Sequence, residues 1–305
     1  MTRAPHDRWQ LRRGALRRGG GTDPRRLQFA VVDFETTGLR PDRGARVCEF
    51  AVVRVRGDGA VLGEASTLVN PGVPIDGTPF HGLTDADVYH APTVSEVLAS
   101  FSTLISGAVV VAHNLDFEER FLSRQFGPAG LPTGLAGLCT LRTLRAQVDL
   151  SRYSLPRASE ALGGWSPTHQ HTALGDARAT ARLLVELIAN APGRLSYRGP
   201  SPVSLHSRSG AARLVPREGP PAPDGDLPRG PWVARWRPQE FDQALCGGSF
   251  LLRARAEAQA QALRAERRRR ITAYLARFSA TSALTAATAA AINRHRLRRG
   301  CVRDR

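Results

Sequence analysis

At 305 residues, with 42% apolar side chains, the chain carries enough hydrophobic sequence for a substantial core, which excludes a wholly disordered protein. Its net charge of +16 comes from arginine alone and is unevenly placed: +6 over residues 1–26, −4 over 27–192, +3 over 193–252 and +11 over 253–305. The four cysteines stand far apart without a C-x-x-C pair, and no apolar run approaches a membrane span of roughly 20 residues, so a zinc framework and a membrane protein are excluded and a cytoplasmic location is expected.

Residues 1–26, with Gly19-Gly20-Gly21 among scattered arginines and no apolar signal region, read as a flexible basic arm. Patterned sequence starts at Leu27. Gln28–Asp33 has strand character, and Val47–Arg56 and Val61–Val69 continue as strands around Gly57-Asp58-Gly59, a hairpin turn that makes these neighbours antiparallel. Apolar residues at helical spacing follow from Thr93 to Ile105, with Thr93 or Ser95 available as a cap. Val109–Ala112 reads as a short buried strand. Helices are expected at about 116–126, 140–147, 155–163 and 172–190. A domain over 27–192 then closes at Pro192-Gly193. Residues 193–237, dense in Pro, Gly and Ser, read as a linker, and 238–305 as a basic, partly helical, Arg- and Ala-rich extension. Hairpin strands followed by alternating helix and strand indicate an α/β domain with a mixed sheet.

Three segments carry chemistry. In Val31–Leu39, Asp33 and Glu35 lie two apart on an extended strand and point to one side, a pairing suited to hard divalent ions. The small residues Thr36, Thr37 and Gly38 behind them allow close approach of a substrate backbone. In residues 109–122, an apolar strand breaks at His113-Asn114 into a helix beginning with Asp116, Glu118 and Glu119; acids there also suit the positive end of a helix. In residues 171–184, His171 and Asp176 open an amphipathic helix, a potential base beside a potential ligand, with His169 close enough to compete for the role of base.

Together the three segments resemble the DEDDh group of the DEDD exonuclease superfamily, which includes the proofreading subunit of bacterial DNA polymerase III. The D-x-E-T-T-G motif is matched by Asp33 through Gly38, the H-N-x-x-F motif by His113, Asn114 and Phe117, and the H-x4-D motif by His171 and Asp176. Phe80-His81-Gly82-Leu83-Thr84, followed by Ala91-Pro92-Thr93, is similar to a segment of the polymerase-III-like branch. The resemblance spans about residues 27–190. It departs at Glu118, which stands where the family usually has Asp; Asp116, two positions out of register, is the alternative.

The resemblance implies an RNase-H-like exonuclease fold, with a mixed five-stranded sheet flanked by helices, and two-metal hydrolysis using Mg²⁺ or Mn²⁺. Asp33, Glu35, Glu118 and Asp176 would hold the ions, with His171 as general base. Thr36, Thr37, Gly38 and Leu39, with His113 and Asn114, would bind the terminal nucleotide. The expected partner is a nucleic acid with a free 3′ end, DNA in preference to RNA, in proofreading or repair beside a polymerase or repair protein, with nucleoside 5′-monophosphates as product. The acidic centre between basic flanks is consistent with a polyanionic substrate. The rival readings are a 3′→5′ exoribonuclease and a catalytically weak nucleic-acid-binding module.

Overall fold

The computed structural model describes residues 10–75, 78–163, 165–206, 212–217, 227, 234–241 and 269. Contacts divide the chain into Met1–Cys246 and Gly247–Arg305, and everything below belongs to the first unit. The expected basic extension, beyond Phe241 and apart from Arg269, lies outside the described residues.

Strand alternation sets the architecture. In β3 (Gln28–Thr36), Ala30, Val32 and Phe34 enter one core while Phe29 and Val31 enter another on the opposite face. The same split runs through its antiparallel neighbour β4 (Val47–Arg56), where Phe50 and Val52 face the first core and Ala51, Val53 and Val55 the second. β5 (Val61–Leu68) pairs antiparallel with β4, whereas β6 (Val109–Ala112) and β7 (Leu135–Cys139) add in parallel on the other side of β3. A strand buried on both faces reads as a nearly continuous apolar run, as β3, β4 and β6 do.

Helices cover both faces. Short helices α1 (Thr78–His81) and α2 (Asp85–Val88) precede α3 (Val94–Ile105). α3 begins at Thr93, whose N–H and hydroxyl both donate to Glu96 at 2.7 Å. It packs on the first core with α4 (Leu115–Phe121) and the wider turn Leu122–Phe126. There Phe50 touches Phe34, Phe101 and Phe126, with ring centroids 4.5–5.2 Å apart. α5 (Thr140–Gln147), the short β8 (Val148–Asp149) and α6 (Leu155–Gly163) lead to α7 (Ala173–Asn190), which covers the second core. α7 meets the sheet through Ala173, Ala177 and Ala181, small residues that let the helix approach β3 and β4 closely. No helix among the described residues is long and apolar enough to cross a membrane.

Three expectations change. The sheet has six strands rather than five, because β1 (Leu11–Arg13) pairs in parallel with β7. β2 (Ala15–Arg18) pairs antiparallel with β9 (Leu195–Arg198), so the flexible arm expected over 1–26 is built into the fold from Gln10 onward. Two buried leucines, Leu11 and Leu16, anchor it, while Arg12 between them is exposed and Arg13, half-buried, reaches Asp116. The described parts of 193–237 are likewise not a spacer. Beyond β9, Leu205 and Leu214 pack on the first core, Leu227 is buried in the second, and β10 (Arg235–Trp236) pairs with β8. Isolated apolar residues among prolines and glycines give no period to read, yet their backbones bond to loops and strand ends, as Leu227 N–H does to Gly59 O at 3.0 Å.

Candidate active site

Odd-numbered residues of β3 face α7, and this parity carries Asp33 and Glu35 to the side on which α7 begins. Asp176, in the first turn of α7, completes a group whose carboxylate oxygens lie within 4.8 Å of one another. Thr172 caps the helix by accepting from Gly175 N–H at 3.1 Å and donates its own hydroxyl to His169 O at 2.7 Å. His171 has φ +62°, an uncommon conformation for a residue with a side chain, and its N–H donates to Asp176 Oδ2 at 3.2 Å. The backbone of His171 is therefore fastened to Asp176, while its exposed imidazole lies outside the 4.8 Å group. His169 also has positive φ, at +56°, but its carbonyl is taken up in the cap.

The acids raise one another. Burial, followed by the charges of Asp176, Glu118, Glu35 and Glu49, holds Asp33 well above the usual carboxylate range. Burial and then Glu49 and Asp176 push Glu35 up to about 8. Burial raises Asp176 as well, against the lowering influence of the His171 N–H and imidazole. Groups this close cannot all ionise without a counter-charge. Oxygen donors alone, gathered at the end of a rigid strand, match the preference of a hard divalent cation. Glu118 Oε2 and Glu49 Oε1 fit the same picture, since both are buried and without a hydrogen-bond partner among the described residues.

The three acids that open α4 go separate ways. Asp116 is held between Arg13 at 2.8 Å and Arg142 at 2.6 Å. Glu119 is fully buried and accepts from Leu11 N–H at 3.1 Å, tying α4 to the N-terminal strand. Glu118 is buried and pushed up to about 8, and its charge is felt at Asp33. It lies outside the 4.8 Å group, as does Asp116, which its two arginines hold.

The proposed nucleotide contacts separate similarly. Thr36 is buried and its hydroxyl donates to Gly38 O at 2.9 Å, while Thr37 Oγ1 accepts from Arg46 N–H at 3.0 Å, so both hydroxyls brace the loop. Leu39, 75% exposed, stands at an open cavity of about 610 Å³ lined also by Thr37, Gly38, Arg40, Arg43 and Val73. Asn114 is exposed at the start of α4. The His113 ring is engaged by the protein at both nitrogens, with Nε2 donating to Tyr153 O at 2.7 Å and Nδ1 accepting from Thr140 Oγ1 at 3.1 Å. Burial pushes its pKa down to about 4, so it stays neutral and braces β6 against α5. Its ring nitrogens are thus engaged within the fold.

Sequence reasoning missed Glu49 and Arg217. Glu49 sits opposite Glu35 on β4, only 1% exposed, paired with Arg217 at 3.2 Å. A lone acid inside the apolar run Val47–Val53 is a detectable anomaly, because a buried carboxylate needs a purpose. Arg217, in the Pro-rich stretch read as a linker, offers no comparable sign.

The family model described as exonuclease, RNase_T, matches residues 30–184. The chain is 38% identical over 174 residues to a DNA polymerase III subunit epsilon-like protein of Rhodobacter capsulatus, covering 53% of this chain and 24% of that protein. It is 32% identical to a DNA polymerase III PolC-type protein of Thermotoga petrophila, covering 52% of this chain and 12% of that one. The DNA polymerase III subunit epsilon of Aquifex aeolicus is 32% identical over 164 residues, which are 52% of this chain and 80% of the subunit. The chain thus spans about a quarter or less of the first two relatives and most of the third. With two motifs at strand ends of one mixed α/β sheet and the third at the start of α7, the chain belongs to the exonuclease (RNase_T) family.

Proposed function

We propose that this protein removes nucleotides from the 3′ end of DNA by hydrolysing phosphodiester bonds, releasing nucleoside 5′-monophosphates in proofreading or repair. The observation that carries the reading is the convergence of Asp33, Glu35 and Asp176 within 4.8 Å, beside a His171 whose backbone is bonded to Asp176. The DNA polymerase III names of the relatives supply the preference for DNA and for a polymerase or repair partner.

Asp33, Glu35 and Asp176, with Glu118 behind them, would hold two divalent ions, Mg²⁺ or Mn²⁺. Bound there, the ions supply Lewis acidity that neutralises the phosphodiester and its leaving oxygen. His171 accepts the proton of the attacking water on its imidazole, the side chain most often used as a general base. The loop from Thr37 to Leu39 seats the terminal nucleotide against the cavity, with Leu39 packing on its base, and Arg40 and Arg43 line the same cavity with positive charge for the strand behind it.

The test is a panel of one sequence as 3′-ended single-stranded DNA, duplex DNA and RNA, with Mg²⁺ or Mn²⁺ and with Asp33→Ala as control. We expect ion-dependent release of mononucleotides from DNA and none by Asp33→Ala. Preferential degradation of RNA would move the substrate to the exoribonuclease reading. Salt-sensitive binding without any ion-dependent product would leave only a binding module, and unchanged activity in Asp33→Ala would refute the site.

A further inference from the structure

Residues 212–217 run past the end of β5. Leu68 N–H donates to Val215 O at 2.8 Å, and Val215 N–H donates to Thr67 Oγ1 at 2.9 Å. With Leu214 packed on the core, these bonds fix where Arg217 emerges. Its guanidinium then reaches three separate parts of the fold: Glu49 Oε2 at 3.2 Å, His81 O at 2.8 Å and His171 O at 3.4 Å.

Of the turn that opens α7, these contacts hold the backbone of His171 on both sides. Asp176 holds the His171 N–H, Arg217 holds its carbonyl, and Glu49 anchors the Arg217 guanidinium. The turn needs such a clamp, because His171 sits at φ +62°, where a non-glycine residue stays only when its surroundings impose it. A planar guanidinium suits the task, since it presents donors in fixed directions to several acceptors at once.

We infer that Arg217 is a positioning residue for His171: carried in by residues 212–217 and locked to Glu49, it holds the His171 carbonyl and so fixes where the imidazole stands beside Asp176. The catalytic part of this inference rests on His171 taking the proton in the proposed reaction; the conformational part stands without it.

Full-length wild type, Arg217→Ala, Arg217→Lys and His171→Ala would be compared by steady-state hydrolysis of a 3′-ended oligonucleotide. Mn²⁺ binding would be followed by calorimetry, and hydrogen exchange of the His171 amide by NMR in ion-free protein. Arg217→Ala should lower kcat on the order of 10²-fold, the scale of a misplaced catalytic group. KM and Mn²⁺ affinity should stay near wild type, and the His171 amide should exchange about tenfold or more faster as the turn opens. Arg217→Lys, which keeps the charge but not the fork, should recover part of the rate. Unchanged exchange in Arg217→Ala would overturn the clamp. Unchanged kcat beside a slow His171→Ala would overturn its catalytic consequence. A rise in turnover or in Mn²⁺ affinity would overturn the inference by making Arg217 a competitor of the ions. If wild type hydrolyses nothing, the exonuclease reading fails while the exchange measurement still decides the clamp.

Discussion

Gly175 illustrates how closely the site is packed at the scale of single residues. A Cβ at this position would lie 2.2 Å from His169 O and 2.7 Å from Thr172 Oγ1, inside the turn that carries His171. Helix propensity alone favours Gly→Ala in a helix by about 1 kcal/mol. Here the sign should reverse, because the obstacle is backbone and cannot swing aside. Gly175→Ala is expected to leave helical content near wild type by circular dichroism, lower the melting temperature, and reduce kcat sharply. A variant as active and as stable as wild type would refute this account of the turn. That Asp33, Glu35 and Asp176 converge was legible in the sequence because strand parity and the first turn of a helix are local matters. The choice between Asp116 and Glu118 was not, since it depends on how α4 is rolled against Arg13, Arg142 and β3. Glu49 and Arg217 lie 168 residues apart, and only the folded chain joins them.

Among elements, those with a clear period were readable to within a residue or so, such as β4 at Val47–Arg56, α5 at Thr140–Gln147 and α7 at Ala173–Asn190. β7 escaped because it is short and interrupted by Gly137, whose missing side chain admits Leu11 and Leu115 at 3.1–3.3 Å from where a Cβ would sit. β1 and β2 escaped because their apolar residues are outnumbered by arginine. Their removal should nevertheless be costly. Deleting residues 1–26 would strip Leu11 and Leu16 from the cores, open the edge of β7, and leave Glu119 without the Leu11 N–H. Two fully buried leucines are worth roughly 1.5–3 kcal/mol each, a large share of the 5–15 kcal/mol that typically holds a domain together. The truncated protein should melt at markedly lower temperature and aggregate on heating. An unchanged melting temperature would show that these strands add nothing to the fold.

For the molecule as a whole, the acidic cluster links stability to protons and ions. Glu35 and Glu118 are pushed up to about 8 in the folded chain, from an ordinary value of 4.5. Between those values the ion-free folded state binds more protons than the unfolded chain. The stability these groups contribute is complete at low pH and is lost as pH rises through about 8. Divalent ions should offset the loss, and more strongly at pH 8 than at pH 6, where they must displace protons. Thermal unfolding in chelator and in Mn²⁺ at the two pH values checks this. An ion effect that is larger at pH 6 would argue against carboxylate ligands.

The pairing of β2 with β9 bears on how the protein comes to be folded at all. Leu16 lies opposite Tyr197, so β2 must wait for a partner some 180 positions later in synthesis. Contacts of such long sequence separation slow folding and prolong the life of partly formed intermediates. During translation the sheet around β3 can gather as soon as β7 has emerged, but its N-terminal edge cannot be fastened. The nascent domain should therefore stay open at that side, and dependent on protection from its neighbours, until the sequence past Arg198 has left the ribosome.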